Sequence, residues 1–466
     1  MNQIQLDAIL ALPKIEDQIK GLQVSSFTIP LWSDLSAQYD PDEHDIMSET
    51  LYPPLINENG VDTFKRTSLA LQELAVNRIS QAMFSTPAER VYNFDKESDS
   101  QKKASNVIEE IYATQNNIDA ENIERAKKLN ASCQVVTIWA AKAGNTVIDD
   151  LTSAYELNHV SFSEIEGHKI WANIDDATGK LLVVSLEYKD SNDIDHFDIY
   201  VNGASPQLIS YSKPKGWVLS ESTEPNPKPL TVYPVVYGHL KKPVWGGDSG
   251  TLKVNQLEEL TSYQGFYINK NAAPLFTRDM GDVDRMSDGN SSESASDSKK
   301  IVDVGKGGSV TPLTWESNPT AVDAQYKRIR NAFYEENQIP DTSFANMIAS
   351  NTSADNKKII FADATAKAID LGGEWQKFFY DELIIVKKMI AIMFPSIATD
   401  LDLISIRSKI TPYSVTSRKE NAEYISIGGS AMSLETKIRI LNEVDNVDEE
   451  VDLILGESSA NANQLL

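Results

Sequence analysis

The chain has 466 residues, and its hydrophobic content of 41% suits several packed domains and argues against a disordered polypeptide. Its 68 Asp and Glu residues outnumber 43 Lys and Arg, and the resulting net charge of −25 disfavours sequence-independent binding of nucleic acid by the whole surface. The only cysteine, Cys133, excludes an internal disulfide framework and a four-cysteine zinc site.

No segment has the pattern of a signal sequence or a membrane span. The N-terminal sequence MNQIQLDAILALPKIEDQIK lacks a basic region before a long apolar core. The stretch LIIVKKMIAIMF is interrupted by Lys387 and Lys388. We therefore expect a soluble chain that is not exported.

Two helical stretches are predicted before residue 130. The segment VDTFKRTSLALQELAVNRISQAMF has Asp62 as a possible N-cap, Pro87 beyond its end, and an apolar face formed by Phe64, Leu71, Leu74, Ile79 and Met83. It predicts a buried helix. The next stretch, SQKKASNVIEEIYATQNNIDAENIERAKKLN, is polar with few apolar residues, which predicts a helix on the surface.

Residues 130–240 consist of short runs of Val, Ile, Tyr and Trp separated by turn residues. The predicted turns lie at Glu166–Gly167, Asp175–Gly179, Asn202–Gly203 and Pro214–Gly216. This alternation predicts an antiparallel β-meander.

A helix is predicted to begin near Asp248 or Ser249, followed by a polar, Ser- and Asp-rich loop and two short strand-like pieces. The sequence NPTAVDAQYKRIRNAFYEENQIPD predicts a second helix, with Asn318 as N-cap, Pro319 at its first position and Pro340 ending it. Its narrow apolar stripe predicts packing by one side only, with Lys327, Arg328 and Arg330 pointing elsewhere.

A much longer helix is predicted over residues 357–394, with Gly372–Gly373 as a possible kink. Its predicted buried face comprises Trp375, Phe379, Leu383, Val386, Ile390 and Met393. The sequence ISIRSKITPY then predicts a pair of strands. Two short helices follow, the first capped by Ser433 and the second by a capping box of Asn446 and Glu449.

Three short motifs lack the neighbouring residues that a catalytic or ligand-binding site requires. GGDSG at Gly246–Gly250 resembles a serine-protease nucleophile turn, but Thr251 stands where a glycine should follow, so we interpret it as a glycine-rich lead into a helix. GKGGS at Gly305–Ser309 lacks the spacing of a phosphate-binding loop. The acidic run from Asp279 to Asp288 lacks the closing Glu of a calcium loop.

His196 lies among Asp193, Asp195 and Asp198, a set that could ligate a metal, although a solvated hairpin surface is the favoured interpretation. The chain has four other histidines, and none forms an H-x-x-x-H pair. We therefore expect no enzymatic activity, no cofactor and no bound metal.

Two segments resemble the portal proteins of tailed double-stranded-DNA bacteriophages. AVDAQYKRIRNAFYEENQIPDTSFANMIASNTSADNKKIIFADATAKAID is similar to the family's stem helix, tunnel loop and start of the long helix. ENAEYISIGGSAMSLETKIRILNEVDNVDEEVDLILGE is similar to its C-terminal segment. A looser likeness extends over most of residues 60–457. One departure is Ser353-Ala354, where family members often have Ser-Gly.

The resemblance implies an α+β fold with the portal architecture of wing, stem, clip, long helix and crown. Its parts are an N-terminal arm (1–50), a helical part of the wing (51–129), a β-rich wing (130–240), a first stem helix (241–270), a clip with a loop (271–315), a second stem helix (316–340), a tunnel loop (341–356), a long helix (357–394), a strand-rich return (395–428) and a helical crown with tail (429–466).

The resemblance also implies residue roles. Candidates that face DNA in the tunnel loop are Asn346, Asn351, Thr352, Ser353, Asn356 and Lys357. Candidates for subunit packing of the stem helices are Leu257, Leu260, Val322, Tyr326, Ile329 and Phe333. Candidates for contact between the clip and an adaptor are Leu275, Phe276, Ile301 and Val302. Alternatively, Lys357 and Lys358 simply begin a solvated helix.

The implied function is a ring, usually of twelve copies, at one capsid vertex of the virion. Double-stranded DNA would pass through it, and terminase, a head–tail adaptor and the major capsid protein would be its partners, with no membrane. The chain would be made in the host cytoplasm. Two alternatives stay open, namely a non-viral oligomeric scaffold and a ligand-binding module that uses the β-meander. An enzyme built on His196 ranks third.

Overall fold

The computed structural model describes most of the chain, namely residues 1–26, 29–56, 64–220, 232–272, 275–279, 300–304, 319–340, 354–412, 418–441, 444, 447, 450–451 and 453–456. These residues divide into two compact units, Met1–Ile339 with Lys367–Pro412 and Pro340–Ala366 with Tyr413–Leu466. Within the described ranges, none of the helices combines the length and apolar character needed to cross a lipid bilayer.

The helices in chain order are α1 (Gln3–Leu10), α2 (Ile15–Val24), α3 (Trp32–Tyr39), α4 (Leu71–Phe84), α5 (Asp99–Glu109), α6 (Ile118–Ser132), α7 (Asp248–Ala272), α8 (Pro319–Asn337), α9 (Ala354–Met393), α10 (Ala398–Leu403), α11 (Arg418–Gly428) and α12 (Leu434–Leu441). The strands are β1 (Glu89–Asn93), β2 (Gln134–Ile148), β3 (Leu151–Phe162), β4 (Lys169–Ile174), β5 (Leu181–Lys189), β6 (Asp195–Val201), β7 (Gln207–Lys213), β8 (Val218–Leu219), β9 (Val235–His239), β10 (Leu275–Asp279), β11 (Lys300–Val304) and β12 (Ser405–Lys409). This mixture of helices and sheets is consistent with the predicted α+β class.

The region predicted as one meander forms two antiparallel sheets. One has three strands in the order β3-β2-β9, and the other has five in the order β4-β5-β6-β7-β8. Gly167 and Gly179, in two of the predicted turns, have positive φ values of 83° and 67°, which glycine adopts without a steric penalty. Strand β9 returns to pair with β2. The five-stranded sheet is therefore inserted in sequence between β3 and β9 of the three-stranded sheet.

The N-terminal helices pack on the five-stranded sheet. Leu6 of α1 and Leu22 of α2 are buried in one apolar cluster with Val183, Phe197 and Ile199 of the sheet. The start of α1 is fixed by a capping box, in which the Asn2 side chain accepts a hydrogen bond from the Gln5 amide. The first helices are therefore part of a packed core.

The helix predicted to begin at Asp62 begins instead at Leu71, and Asp62 lies outside the described residues. The preceding segment, residues 64–70, has no regular secondary structure, and side chains of α7 bind its backbone. The Leu69 amide donates to Glu258 at 2.7 Å, and the Thr67 amide donates to the Ser262 hydroxyl at 2.9 Å. These hydrogen bonds occupy backbone amide groups that would otherwise donate within a helix.

The predicted surface helix is instead two buried helices. Between α5 and α6 the chain forms a π-helical turn over Glu110–Gln115, and Asn117 has a left-handed φ of 48°. The buried side chains include Val107, Ile108, Ile111 and Leu129. The prediction was wrong because polar side chains, among them Arg125, are also buried here and give the segment a polar composition.

Over the described residues 404–412, the predicted C-terminal strand pair forms one strand, β12, and residue 413 lies outside them. β12 pairs antiparallel with β1, more than 300 residues earlier in sequence, so that Val91 lies opposite Arg407. In the C-terminal unit the Thr436 amide donates to the Ser433 hydroxyl at 3.2 Å, which confirms the predicted cap of α12. Asn446 and Glu449 lie outside the described residues.

From Lys367 onward, the long helix α9 supplies much of the core of the larger unit. All six residues of its predicted apolar face, from Trp375 to Met393, are buried, which confirms that prediction. The helix runs without interruption through Gly372 and Gly373. Trp375 and Phe379 both meet the ring of Phe84 in α4, with ring centroids 4.9 and 6.0 Å apart.

A fully buried ion pair joins α9 to α6. The Arg125 guanidinium lies 3.0 Å from the Glu382 carboxylate, and both side chains are 0% exposed. Tyr112 donates its hydroxyl to the same carboxylate at 2.6 Å, and the Trp139 indole N–H donates at 2.9 Å. The Arg125 Nε–H donates to the Ser161 hydroxyl at 3.0 Å. Burial, and then the Glu382 charge, raise the pKa of Tyr112 well above its usual value, so its hydroxyl remains a donor.

Glu382→Leu is expected to destabilise the protein by about 3–5 kcal/mol, because it leaves the buried Arg125 charge without a counter-ion. The double variant Arg125→Met with Glu382→Leu is expected to recover most of that loss, since both charges are then absent. Urea unfolding at one fixed protein concentration measures both effects. Additive losses in the double variant would contradict a coupled pair.

Candidate assembly site

Helices α7 and α8 form an antiparallel pair within one chain. The start of α7 lies beside the end of α8, where the Lys253 ammonium lies 2.7 Å from the Glu336 carboxylate. A Cβ atom at Gly250 would lie 3.5 Å from the Phe333 ring. We call this end of the pair, formed by residues 246–257 and 329–337, the root.

Glycine allows the tight turn that leads into α7. Gly246 and Gly247 have positive φ values of 90° and 60°, and α7 begins at the next residue, Asp248, as predicted. At Gly250 a Cβ atom would lie only 1.9 Å from the Trp245 carbonyl oxygen. The interpretation of GGDSG as a glycine-rich lead into a helix is confirmed.

The end of α8 differs from the prediction. The helix stops at Asn337, and Gln338 adopts a left-handed φ of 55°. The Ile339 amide then donates to the Tyr334 carbonyl at 2.9 Å, as in a Schellman motif. Pro340 therefore follows a termination that is already complete. Pro319 begins the helix, and Asn318 lies outside the described residues.

The predicted stem contacts are buried only at the root. Leu257, Ile329 and Phe333 are buried within the single chain. Leu260, Val322 and Tyr326 are half-buried. Their role in packing between subunits stays a prediction. The apolar stripe of α8 is thus covered over its second half and partly open over its first half.

The basic residues of α8 have two different environments. Lys327 and Arg328 are exposed, on the side away from the stripe. Arg330 is half-buried, and its guanidinium lies 4.8 Å from the centre of the Tyr334 ring, within range of a cation–π contact. The exposed pair is available to solvent or a charged partner.

A buried polar cluster fixes α7 to the N-terminal region. The Glu258 carboxylate lies 2.6 Å from Nδ1 of His44, and both side chains are almost completely buried. Nε2 of His44 lies 3.0 Å from the Gln38 carbonyl. The Leu69 amide donates to the same carboxylate oxygen, Oε1 of Glu258, so two contacts fix α7 directly after the root.

The tunnel-loop candidates fall largely outside the described residues, where Asn346, Asn351, Thr352 and Ser353 all lie. Helix α9 begins at Ala354, three residues before the predicted start of the long helix. Asn356 and Lys357 are therefore helical. Their contact with DNA stays a prediction.

The clip candidates lie on two strands that pair in parallel. Phe276 of β10 is opposite Ile301 of β11. Leu275 precedes Phe276 on β10, and Val302 follows Ile301 on β11. The strand-like character predicted for the KIVDV sequence is confirmed by β11. Contact with an adaptor stays a prediction.

The His196 group has a structural environment. Nε2 of His196 lies 3.3 Å from Asp190, and its ring stacks on Tyr188 with centroids 5.2 Å apart. Tyr188 donates its hydroxyl to Asp198 at 3.1 Å. In the described part of the chain no group of three or more His, Cys, Asp or Glu residues is placed to hold a metal ion.

Sequence reasoning missed the buried polar residues His44, Arg125, Glu258 and Glu382. One signal was available. Glu258 directly follows Leu257 and lies one turn after Val254, and Glu382 lies between Phe379 and Leu383 on the apolar face of α9. A charge inside an apolar stripe indicates a buried partner elsewhere.

Residues 266–464 match the family model described as phage portal protein, SPP1 Gp6-like. The match covers the end of α7, strands β10 and β11, α8, α9 and most of the C-terminal unit, and it confirms the resemblance to phage portal proteins over these residues. The looser likeness proposed for the segment before residue 266 stays a prediction. A search of the curated proteins finds no match to this chain.

Gly250→Ala is expected to cost about 1–3 kcal/mol of stability, because the added methyl group meets the Trp245 carbonyl and displaces the first turn of α7 from the segment that leads into it. Gly265→Ala is the matched control in the same helix, since no described atom lies within 4 Å of its new Cβ atom. The control should gain about 0.5–1 kcal/mol from helix propensity. Thermal unfolding of the two variants measures the difference, and equal effects would contradict a close-packed root.

Proposed function

Because residues 266–464 match the phage portal family, we propose that this protein forms a closed ring at one capsid vertex, through which double-stranded DNA is packaged and ejected. The ring is proposed to contain twelve copies and to dock terminase, a head–tail adaptor and the major capsid protein. It acts as a conduit and supplies no catalysis.

The observation that supports a ring is the incomplete burial of the helix pair. Val322 and Tyr326 continue the stripe of Ile329 and Phe333, yet the single chain covers them only in part. A helix with an apolar stripe gains stability by burying it, and in a cyclic assembly the neighbouring copy supplies the missing surface.

Helix α7 has exposed apolar side chains of the same kind. Leu252 is 63% exposed and Ile268 is 58% exposed. Each buried side chain of this size contributes about 1.5–3 kcal/mol. A modest number of such contacts per subunit, repeated around a ring, is enough to favour closure.

The charge of the chain suits a conduit for DNA. With a net charge of −25 per copy, a ring repels phosphate and keeps the duplex from adhering as it moves. Local contacts from Lys357 or from the tunnel-loop asparagines would guide the duplex without holding it. Clip strands β10 and β11 are the proposed site of adaptor docking.

Native mass spectrometry and negative-stain microscopy of the purified protein test the ring. We expect a closed assembly, and Tyr326→Asp should reduce its abundance at least about tenfold, because a charge would be buried at the contact. Ala324→Asp is the matched control, as Ala324 is exposed on the opposite side of α8. A solitary chain under all conditions, or equal effects of both variants, would refute the assembly.

A second test addresses the tunnel loop. Replacing Asn351 and Asn356 together by Arg adds two positive charges per copy, so DNA should adhere and packaging should slow or stall while rings still form. The double Gln variant is the neutral control. Packaging is measured as nuclease-protected DNA in an assay with capsids and terminase. Unchanged packaging by the Arg variant would count against a loop that faces DNA.

A further inference from the structure

His44 is buried between two oxygen atoms that both accept hydrogen bonds. Its Nδ1 atom lies 2.6 Å from Oε1 of Glu258, and its Nε2 atom lies 3.0 Å from the backbone carbonyl of Gln38. The side chains of His44 and Glu258 are 1% and 0% exposed. A neutral imidazole has one N–H group, so it donates to one of these oxygens and turns a lone pair toward the other. Both contacts are hydrogen bonds only when the pair holds one proton more than a neutral imidazole beside a carboxylate.

A third contact indicates where this extra proton lies. The Leu69 amide donates to Oε1 of Glu258 at 2.7 Å, so this oxygen already accepts one hydrogen bond. An ionised carboxylate oxygen has the lone pairs to accept a second bond from Nδ1 of His44, whereas an oxygen that carried the proton would be a weaker acceptor for the amide. The pair is therefore an imidazolium beside a carboxylate, which is a charge-assisted hydrogen bond.

The surroundings of the pair are mainly acidic. The charged side chains on the neighbouring segments are the exposed Asp40, Asp42, Glu43, Asp45, Glu73 and Glu259, the exposed Lys65 and the half-buried Arg66. Tyr52 is close to these groups, and burial, followed by the charges of Glu259 and Asp45, raises its pKa, so its hydroxyl stays neutral. Because acids outnumber bases, the summed charge of the surroundings favours the protonated form of His44.

The pair belongs to a set of contacts that hold residues 38–45, which we call the strap, on α7. The Gln38 side chain donates to Asp248 at 2.9 Å, and Asn255 donates to Asp45 at 2.7 Å. Both of these hydrogen bonds are exposed, so water can replace either partner at little cost. The bond from His44 to α7 is buried, and water cannot replace it in the same way.

We propose that the pair of His44 and Glu258 is a proton-controlled lock that holds the strap on α7. With the extra proton, the two buried charges cancel. Without it, one negative charge remains in a site closed to water, and the lone pairs of Nδ1 and Oε1 face each other across 2.6 Å. Loss of the proton therefore releases the strap from α7. The inference does not depend on the ring, since all of these groups belong to one chain.

The stability that the lock contributes falls as the pH rises. An unfolded histidine releases its proton at about pH 6.5, whereas the folded pair retains it. Above that pH the unfolded chain binds fewer protons than the folded chain, so the contribution is lost progressively until the folded pair also releases its proton. One proton corresponds to an increase of up to about tenfold in the unfolding equilibrium constant per pH unit.

Solid-state NMR of the purified full chain, labelled with ¹⁵N at histidine, tests the position of the proton. The signals of His44 are identified by their absence from the His44→Gln variant. We expect both ring nitrogens of His44 to carry hydrogen at about pH 7.5, one unit above the ordinary value for histidine. A ring nitrogen of His44 without hydrogen at that pH would overturn the proposal.

Hydrogen exchange tests the release of the strap and needs no variant for its main result. The protection of the Leu69 amide, which donates to Glu258, should fall at least about tenfold between about pH 7 and pH 9, relative to amides in the buried part of α9. An unchanged ratio would contradict the lock.

Two variants assign the pH dependence to this pair. Glu258→Gln removes the carboxylate and should abolish the change in Leu69 protection, because glutamine does not hold the imidazolium. The matched control Asp190→Asn alters the half-buried acid that lies 3.3 Å from His196, and it should keep the change. A dependence that survives in Glu258→Gln would overturn the proposal. If Glu258→Gln does not fold, the wild-type exchange profile decides.

Discussion

The buried contact between Arg125 and Glu382 constrains the rest of the larger unit. Hydrogen bonds surround the two buried charges, since Tyr112 and Trp139 donate to Glu382 and Arg125 donates to Ser161. These bonds fix α9 relative to α6 and the three-stranded sheet. Apolar packing along α9 adds free energy, but sliding the helix by one turn would exchange one apolar contact for another. The ion pair selects a single register.

A second buried carboxylate lies next to the root of the helix pair. Oε1 of Glu258 lies 2.6 Å from Nδ1 of His44 and accepts a hydrogen bond from the Leu69 amide, which anchors α7 to its own chain. Beyond the root, the apolar positions of both helices are only partly covered. One end of the pair is thus committed to intramolecular packing, and the other end retains surface for a neighbour. This division is what a subunit of a closed assembly requires.

Patterns local in sequence predicted much of the fold. The apolar face of α9, the start of α7 and the cap of α12 each depend on residues within a few turns of one another. The predictions failed where contacts between residues far apart in sequence determine the secondary structure. β12 pairs with β1 from the other end of the chain, and α4 starts late because side chains of α7 bind the preceding segment. The assembly candidates were found through a resemblance, whereas buried charges such as Glu382 left only the weak signal of a carboxylate inside an apolar stripe.

Gly250 has a mechanical consequence. The space that a methyl group would need is occupied by the Trp245 carbonyl, so the segment that leads into α7 packs backbone against backbone with the first turn of that helix. Such a contact has no side-chain rotamers through which it could yield under load. A displacement of α7 therefore passes directly to the segment that carries it.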